Sequence, residues 1–325
     1  MKNIFVLYTG GTIGMRPGEH GLEPDPALAQ HALAAHAGSL KADWHICEPL
    51  IDSSAVSPQH WHDWLQLLRE RLPHYDGALV LHGTDTLAYT ANLLALALDT
   101  GGKAVVLTGS QRPFGADNSD APANLALAAQ TLATGKAKGV VLAFAGSLFP
   151  AVGSSKCSTE RDAGFTNHRF GAFNPQGADV SGCFLAPPAG SLKREIDPAK
   201  RITAVLLLPG SEEAAAHMLN SGGSDGAVIL GYGHGNAPAH PALLAAAQGY
   251  CAGGRPLLLI SQTPDGCAAP VYAQSAPLLA AGALAAGYCN AETAAALLLL
   301  AASNGWQHDD IRTELQRLQL LPEPP

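Results

Sequence analysis

Charge is scarce in this chain. Asp, Glu, Lys and Arg make up 14% of the 325 residues, and aromatic residues 6%. The balance is acidic, with a formal net charge of −8 and no run of like charges. Non-specific nucleic-acid binding depends on clustered Lys and Arg that neutralise phosphates, so this composition argues against a nucleic-acid partner. Long apolar runs are also missing. Met1 to Tyr8 has one lysine and an apolar stretch too short for a secretory signal. The Ala/Leu-rich segment from Ala291 to Ala302 falls short of the roughly 20 apolar residues a bilayer span needs, and reads as a buried helix. A cytoplasmic protein with no membrane partner is expected.

The six cysteines (Cys47, Cys157, Cys183, Cys251, Cys267 and Cys289) form no Cys-x-x-Cys pair. Free thiols in a reducing compartment fit that scatter better than three disulfides. There is no His-Glu-x-x-His, and His60-Trp61-His62 is too close-set for a metal pair on one helical face. Neither Gly-x-Gly-x-x-Gly at the first glycine turn nor a Gly-x-x-x-x-Gly-Lys-Ser/Thr motif occurs, which weakens a nucleotide-binding reading. No metal and no cofactor are expected.

What is present is ample apolar material. Hydrophobic residues make up 47% of the chain, enough for a sizeable core, and the length suits two domains. Ile4–Tyr8, Ala78–Leu81, Lys103–Leu107 and Gly139–Phe144 read as buried strands. Between them fall helices over about 26–37, from Pro58 behind an N-cap at Ser57, after His82-Gly83-Thr84-Asp85 to about Leu98, and up to Leu132. Trp61, Trp64, Leu65, Leu68 and Leu72 recur at helical spacing and bury one face of the second of these. Strands alternating with helices imply a parallel sheet. Residues 186–200, with Pro, Gly and Lys and no clear period, read as a linker. Beyond it, strands at Ile202–Leu208, Ala227–Leu230 and Leu257–Ser261 alternate with helices near Glu212–Leu219, Pro241–Cys251, Ala291–Ser303 and Asp310–Leu320. The expectation is an α/β protein of two domains, a larger parallel-sheet unit over 1–185 and a smaller α/β unit over 201–325.

Ligands of open parallel sheets collect outside the carboxyl ends of the strands. Two polar clusters reach that edge. Thr9-Gly10-Gly11-Thr12-Ile13-Gly14 follows the first strand, and His82-Gly83-Thr84-Asp85-Thr86 follows the strand ending at Leu81. Alone, the first is more often an ordinary glycine turn with a capping threonine. In the second, Asp85 has a bland role as a helix cap. A threonine hydroxyl beside an acid on such an edge also suits nucleophilic catalysis, which needs a base to take the hydroxyl proton.

Together, Thr9-Gly10-Gly11-Thr12-Ile13-Gly14-Met15 and His82-Gly83-Thr84-Asp85-Thr86-Leu87-Ala88-Tyr89-Thr90 resemble the two signature segments of the asparaginase–glutaminase family. Ile51-Asp52-Ser53-Ser54 resembles the family's substrate-carboxylate loop, and Leu107-Thr108-Gly109-Ser110-Gln111 the segment after its third strand. Ser154-Ser155-Lys156 resembles the segment carrying its catalytic lysine. Tyr232-Gly233-His234-Gly235-Asn236-Ala237-Pro238 resembles its Gly-x-Gly-Asn segment. The likeness spans essentially the whole chain and lies nearer the cytosolic type I branch.

The resemblance implies an asparaginase-like fold and hydrolysis of L-asparagine to L-aspartate and ammonia. Thr12 would be the nucleophile that forms a threonyl ester, with Thr84, Asp85 and Lys156 as a second hydroxyl–acid–base set. It implies substrate contacts from Asp52, Ser53, Ser54, Gly11 and Gly83, and from Asn236 across a subunit interface of a homodimer or dimer of dimers. Read without it, Lys156 is a solvated surface lysine, 52–54 an ordinary polar turn, and Asn236 a turn asparagine. Residues 15–24 would be a mobile lid. Here the chain departs from the family: Leu22 stands where a lid tyrosine commonly pairs with the nucleophile, and no tyrosine occurs between Tyr8 and Tyr75. Leu230 stands where some type I relatives carry an effector-binding arginine. The competing readings are a glutaminase or broader amidase of the same family, a tRNA-linked amidotransferase subunit (disfavoured by the missing basic surface), and a non-catalytic amino-acid sensor on this fold.

Overall fold

Apolar runs without alternation become central strands, because a parallel sheet is covered on both faces. The runs at β1 (Lys2–Tyr8), β5 (Gly77–Leu81), β6 (Ala104–Thr108) and β7 (Gly139–Phe144) are almost wholly buried. They belong to a sheet ordered β4-β1-β5-β6-β7-β8, in which β4 (Leu40–Ile46) through β7 are parallel and β8 (Ser147–Pro150) pairs antiparallel with β7. The computed structural model describes residues 1–19, 21–173, 192–271 and 276–323. It divides into two units, Met1–Gly190 and Ser191–Pro325.

In the first unit, α1 (Pro26–Ala34), α2 (Pro58–Arg71), α3 (Thr84–Ala97) and α4 (Ala121–Thr134) connect or flank the strands. Ser57 caps α2 in a capping box with His60, and Pro58 occupies the first turn. Gly135, in the left-handed region at φ 64°, ends α4. Trp64, Leu65, Leu68 and Leu72 are buried as expected, and Trp61 is half-buried.

The strand order reverses between β1 and β5. From β1 the chain passes to β4 on one side, then crosses to β5 on the other. This switch point opens a crevice at the carboxyl ends of β1 and β5, where Tyr8 is registered against Leu81. The turns after these two strands therefore emerge side by side.

The second unit has a parallel sheet ordered β11-β12-β13-β14, built from Ile202–Leu206, Gly226–Gly231, Leu257–Ser261 and Leu284–Ala285. One face packs on a core from α5 (Glu212–Asn220), α6 (Pro241–Ala252) and α7 (Ala276–Ala280). Leu297 to Leu300 of α8 (Ala291–Asn304) are all buried, as the Ala/Leu-rich stretch implied. Residues 193–195 are stitched to this unit. Arg194 forms a buried bidentate pair with Glu314 of α9 (His308–Arg317), and Trp306 Nε1 donates to the Lys193 carbonyl. Of the expected linker, residues 186–191 lie outside the described residues.

Three local features differ from expectation. The segment over 15–24 is a short antiparallel hairpin, β2 (Met15–Gly18) with β3 (Gly21–Pro24), in which Leu22 pairs with Pro17. The strand from Ile202 stops at Leu206, and the last helix runs from His308 to Arg317. Its start is set by a capping box between Gln307 and Asp310, and Gln319 at φ 56° prevents its continuation. The elements β4, β8–β10, α7 and β14 were not anticipated, β9 and β10 being Ser154–Lys156 and Phe165–Asn167. Among the described residues no helix is long and apolar enough to cross a membrane, and Cys47, Cys157, Cys251, Cys267 and Cys289 form no disulfide. Cys183 lies outside the described residues.

Candidate active site

The two glycine-bearing turns meet at the switch point. Gly11 sits at φ 97°, in the left-handed region, and a Cβ there would lie 2.5 Å from the Gly83 nitrogen and 2.6 Å from its Cα. A Cβ at Gly83 would lie 2.6 Å from Ser53 Oγ. Only glycine permits this approach of the Thr12 and Thr84 turns and the Ser53 loop. Thr12 begins a 3-10 turn over Thr12–Gly14 and is half-buried. Its hydroxyl makes no hydrogen bond among the described residues.

Thr84, Asp85 and Lys156 come together across the fold. Thr84 and Asp85 open α3, and Lys156 ends β9, which pairs with β10. Lys156 Nζ donates to Thr84 Oγ1 at 2.8 Å and to Asp85 Oδ1 at 2.6 Å. The lysine side chain is 16% exposed and that of Asp85 61%, so the second carboxylate oxygen remains open to solvent. Thr84 Oγ1 donates in turn to Gln111 Oε1 at 3.3 Å. The Gln111 amide orientation is fixed because its Nε2 donates to the Ser158 carbonyl at 3.0 Å. The Thr84 proton thus points at Gln111 and its lone pair at Lys156. Transfer of that proton to the lysine requires the hydroxyl to rotate.

Ser53–Ala55 form a 3-10 turn beside these groups. Asp52 caps it, accepting from Ser54 N at 2.7 Å. The Ser54 hydroxyl and then its backbone N–H hold the Asp52 carboxyl below its ordinary value. Ser53 is buried, and its carbonyl accepts from Thr86 Oγ1 at 2.7 Å, which ties the turn to α3.

Behind the site lies His82, fully buried. Its Nδ1 is 2.7 Å from the Gly83 carbonyl and its Nε2 2.9 Å from Thr90 Oγ1, and that hydroxyl oxygen accepts from Trp61 Nε1 at 2.9 Å. Burial pushes the imidazole down to about 4, so it is neutral near pH 7. Gln111, His82 and Thr90 are not among the expected site residues, although all three stand inside the family-like segments Leu107–Gln111 and His82–Thr90. Among the described residues no group of three or more His, Cys, Asp or Glu is set to hold a metal ion.

Asn236 lies in the second unit, in a tight turn where Tyr232 and Asn236 exchange backbone hydrogen bonds at 2.9 and 2.7 Å. Its Oδ1 is buried without a hydrogen-bond partner among the described residues.

Comparison with known proteins gives this arrangement a context. Residues 3–181 match the family profile "Asparaginase, N-terminal", and residues 201–315 match "Glutaminase/Asparaginase C-terminal domain". The chain belongs to the asparaginase family. It is 31% identical to L-asparaginase 1 of Escherichia coli K12 over 251 residues, 75% of this chain and 74% of that one. It is 30% identical to a probable L-asparaginase of Deinococcus radiodurans over 96% of each. The solved structure of the thermostable L-asparaginase of Thermococcus kodakarensis superposes with a TM-score of 0.82 at 26% identity, covering 99% of this chain and all of that one. The two-domain α/β architecture read from the sequence is that of asparaginases.

Proposed function

We propose that the protein hydrolyses the side-chain amide of L-asparagine to L-aspartate and ammonia through a threonyl ester on Thr12. The observation that carries this reading is the Lys156–Thr84–Asp85 contact set beside the Gly11–Gly83 approach. It puts a hydroxyl, an amine and a carboxylate at the sheet's switch point.

With Lys156 as the neutral amine, Thr12 Oγ attacks the amide carbon, its proton passes to Thr84 Oγ1, and the Thr84 hydroxyl, rotated toward Lys156, hands its own proton to the amine. The Thr84–Lys156 pair returns a proton to the leaving nitrogen, and ammonia departs. Water then attacks the ester, its proton follows the same route to Thr12 Oγ, and aspartate leaves. The free Thr12 hydroxyl is poised for such attack, since no bond within the described residues must be broken first. Negative charge on the tetrahedral oxygen is met by backbone N–H groups of the Gly11–Thr12 turn and of Thr84. The open oxygen of Asp85 receives the substrate α-ammonium, and Ser53 with nearby N–H groups receives the α-carboxylate. Asp52 orders that loop through Ser54. Gly11 and Gly83 leave the space.

On this reading residues 1–185 form the catalytic domain, 186–200 the linker and 201–325 the smaller domain, in a cytoplasmic enzyme. The unpartnered Asn236 Oδ1 supports a homo-oligomer, a dimer or dimer of dimers, in which Asn236 serves a neighbouring subunit's site.

Ammonia release from L-asparagine, L-glutamine and D-asparagine at neutral pH tests the substrate. Fastest release from L-asparagine is expected. Faster release from L-glutamine would make the protein a glutaminase, and no release from a folded protein would overturn hydrolysis in favour of amino-acid sensing.

A further inference from the structure

A helix N-terminus normally has its cap carbonyl engaged by the amide four residues on. The Ser57 and Asp120 carbonyls show this, receiving the Trp61 and Asn124 amides at 3.2 and 3.1 Å. Gly83, at the start of α3, differs. No side chain caps that helix start, and among the described residues the Gly83 carbonyl faces His82 Nδ1 at 2.7 Å.

The proton positions along this chain of contacts are determined. Trp61 Nε1 can only donate, so Thr90 Oγ1 accepts from it. Thr90 has one remaining proton, and His82 Nε2 is its partner at 2.9 Å. Nε2 is therefore the acceptor and Nδ1 carries the imidazole proton, which it donates to the Gly83 carbonyl. Trp64 packs edge-on against the ring at 5.5 Å between centroids and holds its plane.

The Gly83 carbonyl and the Thr84 N–H belong to one trans peptide, so they point in opposite directions. Fixing the carbonyl toward the buried imidazole turns the Thr84 N–H away from the core. That N–H has no partner among the described residues. We propose that His82 is a positioning residue that holds the Gly83–Thr84 peptide in the one orientation presenting the Thr84 N–H to the tetrahedral oxyanion, with Trp61 and Thr90 selecting the tautomer that does so. The proposal rests on the hydrolytic reading above and adds to it what sets the oxyanion donor. A donor misaligned by a freed peptide weakens transition-state stabilisation while leaving ground-state substrate contacts in place, so kcat falls and KM does not.

The test is steady-state hydrolysis of L-asparagine by the unsubstituted protein and by His82→Leu, His82→Asn and Thr90→Val, with melting temperatures measured alongside. Asn places its Nδ2 near the position of the imidazole Nδ1 and can still reach the Gly83 carbonyl, whereas Leu fills the space without a donor. His82→Leu should lower kcat about five- to tenfold with KM within twofold, Thr90→Val should lose less, and His82→Asn should recover most of the kcat. Unchanged kcat in His82→Leu, or equal losses in His82→Asn and His82→Leu, would overturn the positioning role while leaving hydrolysis standing. A parallel rise in KM would assign His82 to general structure and overturn it too. Absence of turnover in the unsubstituted protein would overturn the hydrolytic reading, and this one with it.

Discussion

Asn92 in α3 donates through Nδ2 to the Ser154 carbonyl at 3.1 Å, and its Oδ1 accepts from Gly153 N at 3.0 Å. One buried side chain thereby registers the strand that carries Lys156 against the helix that carries Thr84 and Asp85. The Ala88 carbonyl takes another Asn92 Nδ2 bond at 2.8 Å and fixes the rotamer. Asn92→Leu removes these three hydrogen bonds from a buried position, at a cost of about 0.5–1.5 kcal/mol each. Chemical denaturation should show a loss of that size, and kcat measured where the variant is folded should fall as Lys156 loses its register. An unchanged denaturation midpoint would contradict the tie.

Lys156→Met removes the donor to Thr84 and the partner of Asp85 while keeping most of the side-chain volume. The general acid–base contribution of a positioned side chain is about 10²–10⁴-fold. Steady-state assays should show kcat reduced by at least about 100-fold with the circular dichroism spectrum intact. A loss below tenfold would remove Lys156 from the proton path.

His82 gives stability a pH dependence of defined sign. Its folded value of about 4 lies below the ordinary 6.5, so the unfolded chain takes up the proton first as pH falls. The stabilisation is complete above pH 6.5 and declines progressively between 6.5 and 4. At about 1.4 kcal/mol per pH unit the decline is on the order of 3 kcal/mol. His82→Leu should flatten this part of the stability–pH curve. An identical curve for the variant would mean the imidazole is not held neutral.

In the second unit, burial alone pushes the Glu314 carboxyl up, but hydrogen bonds from Arg317 and Arg194 and their charges outweigh this and hold it below its ordinary value. Its contribution is present above the ordinary carboxylate value and is lost as pH falls through the folded one. Glu314→Gln removes the carboxylate from the buried bidentate pair with Arg194, which costs about 3–5 kcal/mol. Thermal unfolding at pH 7 should show the loss, and it should shrink on acidification as the parent protein loses the same interaction.

The central sheet was legible because β1, β5, β6 and β7 are continuous apolar runs between helix signals. The Thr12 and Thr84 turns were legible because glycines punctuate them. β4 carries a signal that is easily passed over: Leu40, Ala42, Trp44 and Ile46 alternate with Lys41, Asp43 and His45, the pattern of an edge strand with one covered face. The hairpin over 15–24 was hidden by a Gly, Pro and charge content that reads as irregular loop. Lys156 has no local signal, since its strand is three residues long and is placed by Asn92, more than sixty residues earlier. Only resemblance pointed to it. The roles of Gln111 and His82 depend on which atom faces which, and no spacing rule encodes that.

Whether a threonine on the first glycine turn carries out asparagine hydrolysis is decided by ammonia release from L-asparagine by the unsubstituted protein and by Thr12→Ala, purified identically. Rapid release that falls by three orders of magnitude or more in the variant, with its melting temperature unchanged, is the predicted result. Release that survives in Thr12→Ala would contradict a Thr12 nucleophile and move the attack to Thr84 or to water.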